Sequence, residues 1–275
     1  MSQSSHTYSA YQCPLCQQPL LENAHQLCCS NRHSFDRAKE GYFNLLPVQH
    51  KRSKEPGDSK AMMQARRDFL EAGHYQPLAD ALKQAISALG HEPSARLLDI
   101  GCGEGFYTQQ LSVAHQTYGL DIAKVAIRYA AKRYHNVQFC VASTQRLPYG
   151  DQSMDVIVKI YAPCEPSELK RVLKPGGTLI TVTPGPRHLY QLKAYVYGDV
   201  RLHDAQAPAL EGFDCVTTQS LHYPMTLSAN ETTALLQMTP FAWRAKPPVW
   251  QQISEIPIHQ IEADFLIAHY QAALA

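Results

Sequence analysis

A predicted strand, a turn built on three glycines and a predicted helix, in that order, constrain this chain more than any other feature. Ala95 to Leu98 is an apolar run that reads as a strand. Asp99-Ile100-Gly101-Cys102-Gly103-Glu104-Gly105 follows, and Phe106-Tyr107-Thr108-Gln109-Gln110-Leu111 reads as a helix. Such a sequence opens a nucleotide-binding βαβ unit. The glycines remove side chains where backbone must approach a ligand, and the helix start offers free N–H groups. Twenty residues after Gly101, Gly119-Leu120-Asp121 ends the next predicted strand. A carboxylate there is placed to accept hydrogen bonds from both ribose hydroxyls. A tight turn that binds nothing is the alternative, and the acid in register argues against it.

The glycine spacing is G-x-G-x-G, not the G-x-G-x-x-G of dinucleotide sites. With Asp99 just ahead of it, this is the form used by S-adenosylmethionine sites. The surrounding pattern agrees. Strands are predicted at 96–100, 117–121, 137–141, 154–160 and 177–183. Helices are predicted at 106–114, 123–133, 166–172 and 187–196. This alternation means a parallel sheet with helices on both faces. A strand at 214–223, a helix at 229–237 and a last strand near 258–270 suit the antiparallel end of a class I methyltransferase sheet. The expected fold is therefore α/β: a Rossmann-like, mostly parallel, seven-stranded sheet. Upstream, Asp58 or Ser59 can cap a helix running to Leu70 and ended by Gly73, and a second helix runs from about Tyr75 to Leu89.

Ahead of this unit lies a different chemistry. Cys13-Pro-Leu-Cys16, Cys29 and His33 form C-x2-C-x12-C-x3-H. Each half places two ligands on one tight turn, and two such turns close a tetrahedron around Zn²⁺. So short a segment cannot bury a sufficient core, and a metal supplies the missing folding energy. Four protein ligands leave no open position, so the zinc is structural. Cys28 sits beside Cys29 and is the alternative ligand; Cys29 gives the shorter spacing to His33. The expected organisation is a zinc-binding module at 1–40, a basic loop and helical linker at 41–92, and an S-adenosylmethionine-binding domain at 93–275.

Eight cysteines and a polar first dozen residues fit a reducing, cytoplasmic setting, and no apolar run reaches membrane-spanning length. The formal net charge of +1 announces no global basic field, so any RNA surface is a local patch. Lys51, Arg52 and Lys54 share one loop, and Arg66 and Arg67 one helix. These are RNA-binding candidates or simply a solvated face.

Strand ends in such a sheet face the ligand crevice. Ala142-Ser143-Thr144-Gln145-Arg146-Leu147-Pro148 follows the third predicted strand, where adenine usually lies in this fold. Ile160-Tyr161-Ala162-Pro163-Cys164 follows the fourth. Amino-methyltransferases often carry an Asn/Asp-Pro-Pro-Tyr loop there, but only Pro163 matches. Cys164 is either a nucleophile, as carbon-5 pyrimidine methylation needs, or a pocket wall. Cys102, Cys140 and Cys215 read as packing. Thr183-Pro184-Gly185-Pro186-Arg187-His188-Leu189 is a stiff loop after the fifth strand, and serves either a ligand or packing.

Beyond these motifs the chain resembles the RlmA-type ribosomal RNA (guanine-N1)-methyltransferases over nearly its whole length. The resemblance rests on Cys13-Pro-Leu-Cys16, Arg32-His33-x-Phe35-Asp36, Ala38 to Tyr42, Asn44 to Arg52, Pro56 to Ser59, Met62 to Arg67 and Gly73 to Leu78. It continues through Ile160 to Cys164, Thr183 to Leu189 and Leu236 to Pro247. It implies a zinc-ribbon-like module on a class I methyltransferase domain, working as a homodimer. It implies Cys13, Cys16, Cys29 and His33 as ligands of one zinc per chain. It implies that Tyr75, the Gly103-Glu104 turn and His188 contact the cofactor. The residues alone make Tyr75 only the first apolar position of a helix. The implied substrate is a guanine in a hairpin loop of 23S ribosomal RNA, and the chain looks closer to the Gram-negative branch.

In that reaction guanine N1 attacks the sulfonium methyl in line, so alignment is the main task. N1 lies on the Watson–Crick edge, so the base must be unpaired or flipped. Tyr161 is the candidate to orient or stack on it, and Glu165 a candidate to take the proton. Asp99, Gly101, Gly103, Glu104 and Asp121 are the cofactor candidates, with Asp99 holding the glycine turn or the methionine amino group. Two rival readings remain open on sequence. One is a small-molecule methyltransferase with an accessory zinc module; the other is a non-catalytic zinc-ribbon RNA-binding protein.

Overall fold

A computed structural model describes residues 7–23, 25–50, 59–92, 94–112 and 116–273. The N-terminal segment carries β1 (Thr7–Gln12), β2 (Pro19–Glu22), β3 (Gln26–Cys28) and β4 (Ser34–Asp36). These pair antiparallel in the order β1-β2-β3-β4. Next come β5 (Phe43–Asn44), α1 (Lys60–Glu71), α2 (Gln76–Ser87), β6 (Arg96–Ile100), α3 (Phe106–Leu111), β7 (Gln116–Asp121), α4 (Lys124–Arg133) and β8 (Gln138–Val141). The chain continues through β9 (Met154–Ile160), α5 (Pro166–Val172), β10 (Leu173–Pro184), α6 (Tyr190–Val196), β11 (Phe213–Ser228), α7 (Ala229–Gln237), α8 (Pro247–Glu255) and β12 (Ile258–Ala272).

The large sheet runs β11-β12-β10-β9-β6-β7-β8-β5. Pairings from β10 through β5 are parallel; β12 runs antiparallel to both β10 and β11. The seven expected strands are thus joined by an eighth, where Phe43 and Asn44 pair with Cys140 and Val141. Two residues carry no readable alternation, which is why this strand was invisible in the sequence. The segment read as a basic loop and helical linker therefore supplies the sheet's edge strand. Leu97, Leu98, Ile100, Val156, Ile157, Val158, Leu179 and Ile180 are fully buried, as strands covered on both faces require.

Helix boundaries follow local chemistry. Ser59 caps α1 by accepting the Met62 N–H, and Ser228 and Glu231 form a reciprocal capping box on α7. The helix expected from 187 starts at 190, because Gly185 to Leu189 form a turn pinned to β12. Pro247 and Pro248 start α8, a helix absent from the sequence expectation.

The N-terminal strands have no core of their own. Tyr11 is buried against the large domain, stacked on Tyr149 at 5.3 Å and edge-on to Tyr118 and Phe43. Gln12 donates its N–H to Pro148 O at 2.9 Å. Arg171 spans the junction, reaching Gln12, Asp151 and Glu168 and the carbonyls of Leu147 and Tyr149. Leu20, Leu27, Cys13 and Cys29 pack into one core with Leu98, Ile100 and Ile157.

Candidate active site and metal centre

The Sγ atoms of Cys13, Cys16 and Cys29 and a ring nitrogen of His33 all lie within 4.8 Å of one another. Two knuckle turns bring them there. Gln17 donates its N–H to Cys13 O and Arg32 to Cys29 O, and both donors hold left-handed backbone, φ 62° and 63°. Zn–S bonds near 2.3 Å and Zn–N bonds near 2.0 Å make tetrahedral edges of about 3.8 and 3.5 Å. The cluster has Cys16 Sγ to Cys29 Sγ at 3.6 Å, and His33 Nδ1 at 3.5 Å from both Cys13 Sγ and Cys29 Sγ. Three sulfurs and one imidazole nitrogen at these separations fit a closed zinc site. Cys29, not Cys28, joins the cluster; Cys28 belongs to β3, paired with Leu21 and Ser34.

The glycine turn lies between β6 and α3. Gly101, Gly103 and Gly105 all have positive φ, at 72°, 55° and 81°. A Cβ on Gly101 would sit 2.5 Å from the Ala162 Cβ, so the first glycine also lets the loop after β9 approach. Asp121 does more than end its strand. One carboxylate oxygen accepts the Gly103 N–H at 3.0 Å and the other the Ala123 N–H at 2.8 Å. It thereby ties the turn to the start of α4. Asp99 is buried and accepts the Thr108 hydroxyl at 2.6 Å. Burial raises its pKa to about 7, with Asp121 adding to the rise and Thr108 opposing it. Glu104 is gripped by Arg67 of α1.

Beside this turn, the ends of β9 and β10 bring together an aromatic group. Tyr75 is buried at the start of α2, edge-on to Phe69 and Phe265 at 5.1 Å each. Burial raises its hydroxyl pKa. His188 lies tilted against Phe265, ring centres 4.9 Å apart, and its Nε2 lies 3.5 Å from the Tyr161 hydroxyl. Burial first, then Lys193 and His203, lowers the His188 pKa to about 3, so the ring is neutral. Tyr161 is 47% exposed and has φ 55°. A tyrosine in left-handed backbone is strained, and here it leaves an exposed ring just beyond the end of β9. The sequence candidates Tyr75, Asp99, Gly101, Gly103, Glu104, Asp121, Tyr161 and His188 thus cluster where β6, β7, β9 and β10 end.

Other candidates fall elsewhere. Lys51, Arg52 and Lys54 lie outside the described residues. Arg66 donates to Met238 O and Arg67 pairs with Glu104, so the α1 arginines face the domain. Cys164 donates its S–H to Thr144 O at 3.1 Å, and burial pushes its pKa up to about 12. That is a pocket wall, not an activated nucleophile. Arg187 turns back to Glu262 rather than into the crevice. Cys215, read as packing, is exposed on the edge strand β11. Sequence reasoning missed Asp264, Phe265 and Thr108. Thr108 carried a signal, standing nine residues after Asp99 on the first turn of the helix; Asp264 and Phe265, in a distant strand, carried none.

Similarities to known proteins match this geometry. The family model of the RlmA N-terminal zinc ribbon matches residues 11–54, and a methyltransferase-domain model matches 91–237. A 23S rRNA (guanine(748)-N(1))-methyltransferase of Streptomyces fradiae is 32% identical over 263 residues, covering 90% of this chain and 92% of that protein. YxjB of Bacillus subtilis is 32% identical over 275 residues, covering 94% and 95%. The crystal structure of YcgJ from Bacillus subtilis superposes with a TM-score of 0.50 at 17% identity, covering 71% of this chain and 99% of that one, and shares its fold. The chain belongs to the RlmA-type 23S rRNA (guanine-N1)-methyltransferase family.

Proposed function

We propose that this protein transfers a methyl group from S-adenosylmethionine to N1 of one guanine in a hairpin loop of 23S ribosomal RNA. The observation that carries the reading is the glycine turn opening beside Tyr161 and His188, in a chain related over 90% of its length to a guanine-N1 methyltransferase. It is an S-adenosylmethionine-dependent methyltransferase with one structural zinc. S-adenosylmethionine, when bound, would supply a sulfonium methyl for N1, its bonding pair staying on sulfur and the N1 proton leaving to solvent. The protein's task is to hold donor and acceptor in line.

We assign Gly101, Gly103, Glu104, Asp99 and Asp121 to the cofactor, with Tyr75 and His188 closing its far side. Tyr161 stacks on the flipped base; its exposed ring and held backbone suit that role. Cys13, Cys16, Cys29 and His33 hold the zinc. The ribbon at 1–40 then buttresses the loop after β8 and leads to Lys51, Arg52 and Lys54, which hold RNA phosphates. Residues 41–92 link it to the methyltransferase domain at 93–275. The family resemblance supports a homodimer. Eight free cysteines suit a reducing cytoplasm, and among the described residues no helix is long and apolar enough to cross a membrane.

Mass spectrometry of nuclease-digested ribosomal RNA tests the reading. A strain lacking the gene should lose one N1-methylguanosine from 23S rRNA and regain it on complementation. Unchanged N1-methylguanosine would overturn the assignment.

A further inference from the structure

We propose that Asp264 is a positioning residue that holds His188 as a neutral Nε2–H donor facing the crevice. The inference rests on the reading of that crevice as the methyl-transfer site. Asp264 is buried in β12, across the sheet from the loop that follows β10. It meets that loop in four ways. Its carbonyl accepts the Gly185 N–H at 2.8 Å. One carboxylate oxygen accepts the Arg187 N–H at 2.8 Å. Its own N–H donates to His188 Nδ1 at 3.3 Å. Its carboxylate also fills the space that a Cβ on Gly185 would need, so only glycine at 185 leaves room for it.

The protonation state of His188 follows. Burial, with Lys193 and His203 nearby, keeps the ring neutral, and a neutral imidazole carries one N–H. A backbone N–H pointing at Nδ1 makes that nitrogen the acceptor. The proton therefore sits on Nε2, the atom that faces the Tyr161 hydroxyl. His188 in this state donates to a ligand oxygen: a carboxylate of the cofactor's amino-acid end or a base carbonyl. It does not take the guanine N1 proton at Nε2. The rest of the loop is fastened to match. Leu189 has φ 55° and donates its N–H to Glu262 O at 2.9 Å, and Arg187 Nε reaches Glu262 at 2.9 Å. Two residues of β12, Glu262 and Asp264, not one contact, set the ring.

The test uses the full-length protein with ¹⁵N-labelled histidine. In the wild type, His188 should show an unprotonated Nδ1 and a protonated Nε2 across neutral pH. A protonated Nδ1 would overturn the proposal without any mutant. Asp264→Ala keeps the backbone N–H that meets Nδ1 but releases the Arg187 N–H and with it the loop that carries the ring, so His188 should drift off that N–H, the two tautomers should mix and S-adenosylmethionine binding should weaken about tenfold. His188→Ala should lose about as much, and the double variant no more than either, because the two act as one unit. Additive losses would overturn it, as would an Asp264→Ala tautomer identical to wild type. Gly185→Ala should destabilise the loop, and adding Asp264→Ala should restore thermal stability but not the tautomer. Asp264→Asn keeps the acceptor for Arg187 and should keep the tautomer. If Asp264→Ala shifts the tautomer while ligand affinity stays unchanged, positioning is upheld and the crevice reading falls.

Discussion

Arg67 holds Glu104 with both arms of its guanidinium, Nε to Oε2 and Nη2 to Oε1 at 2.7 Å each. The same guanidinium lies 4.7 Å over the Tyr129 ring. A helix ahead of the domain is thereby bonded to the acid of the glycine turn and packed on α4. The pair is shielded, with the two side chains 22% and 14% exposed. A fork-to-carboxylate pair of this kind is directional as well as attractive.

Removing the fork should therefore reach the cofactor. Arg67→Ala should weaken S-adenosylmethionine binding by about 1.5–3 kcal/mol, since it leaves a largely buried carboxylate without its charged donor. Arg67→Lys keeps the charge but not the two-armed geometry and should fall between wild type and Ala. Calorimetric affinity equal to wild type in both variants would mean that the turn holds its shape without α1.

Asp121 supports two backbone N–H groups and stands at the predicted ribose position. Asp121→Ala should lower cofactor affinity by roughly 1.5–3 kcal/mol, about 10- to 150-fold. Asp121→Asn should recover part of the loss, because an amide oxygen can still serve one N–H. A titration in which both variants bind like wild type would detach the carboxylate from the cofactor.

One zinc per chain is expected by elemental analysis. Cys16→Ser should abolish it, whereas Cys28→Ser should retain it, since Cys28 belongs to strand β3 rather than to the cluster. Because Tyr11, Cys13 and Cys29 share a core with Ile100 and Ile157, loss of the metal should also lower the melting temperature of the whole chain. Two separate unfolding steps, with the second at the wild-type temperature, would show that the ribbon docks without supporting the larger domain.

Asp99 sets a pH dependence with a definite sign. Its folded pKa is raised from 3.8 to about 7, mainly by burial. Between these values the folded protein binds more protons than the unfolded chain. Stability without ligand should therefore be greatest below about pH 4 for this group and fall as pH rises to about 7. Asp99→Asn should flatten that slope in denaturant titrations run from pH 4 to 8. A wild-type profile without a decline assignable to Asp99 would place the carboxylate in a more polar setting.

Much of the fold was legible in local sequence. The glycine turn, the acids at 99 and 121 and the C-x2-C…C-x3-H spacing are short-range patterns, and short-range patterns dictate backbone and ligand geometry directly. Strands 96–100 and 154–160 read correctly because long apolar runs bounded by turns leave few alternatives. Strand β5 was hidden, since two residues hold no periodicity and pair only because β8 offers an open edge. The sequence offers Arg66 and Arg67 as a solvated or RNA-facing surface without showing their partners, Met238 O and Glu104, because charge in a sequence does not disclose its partner.

What the sequence determined by itself was the class of chemistry: a metal-closed ribbon, a cofactor turn and the acids that serve it. Tertiary structure alone decided which groups act together. It set Arg67 on Glu104, Tyr11 among Tyr118 and Tyr149, and Asp264 beneath His188, pairs separated by 37 to 138 residues and assembled by the sheet. The physical reason is that a hydrogen bond or ring contact depends on distance in space, and only the packed sheet brings such remote positions within a few ångströms.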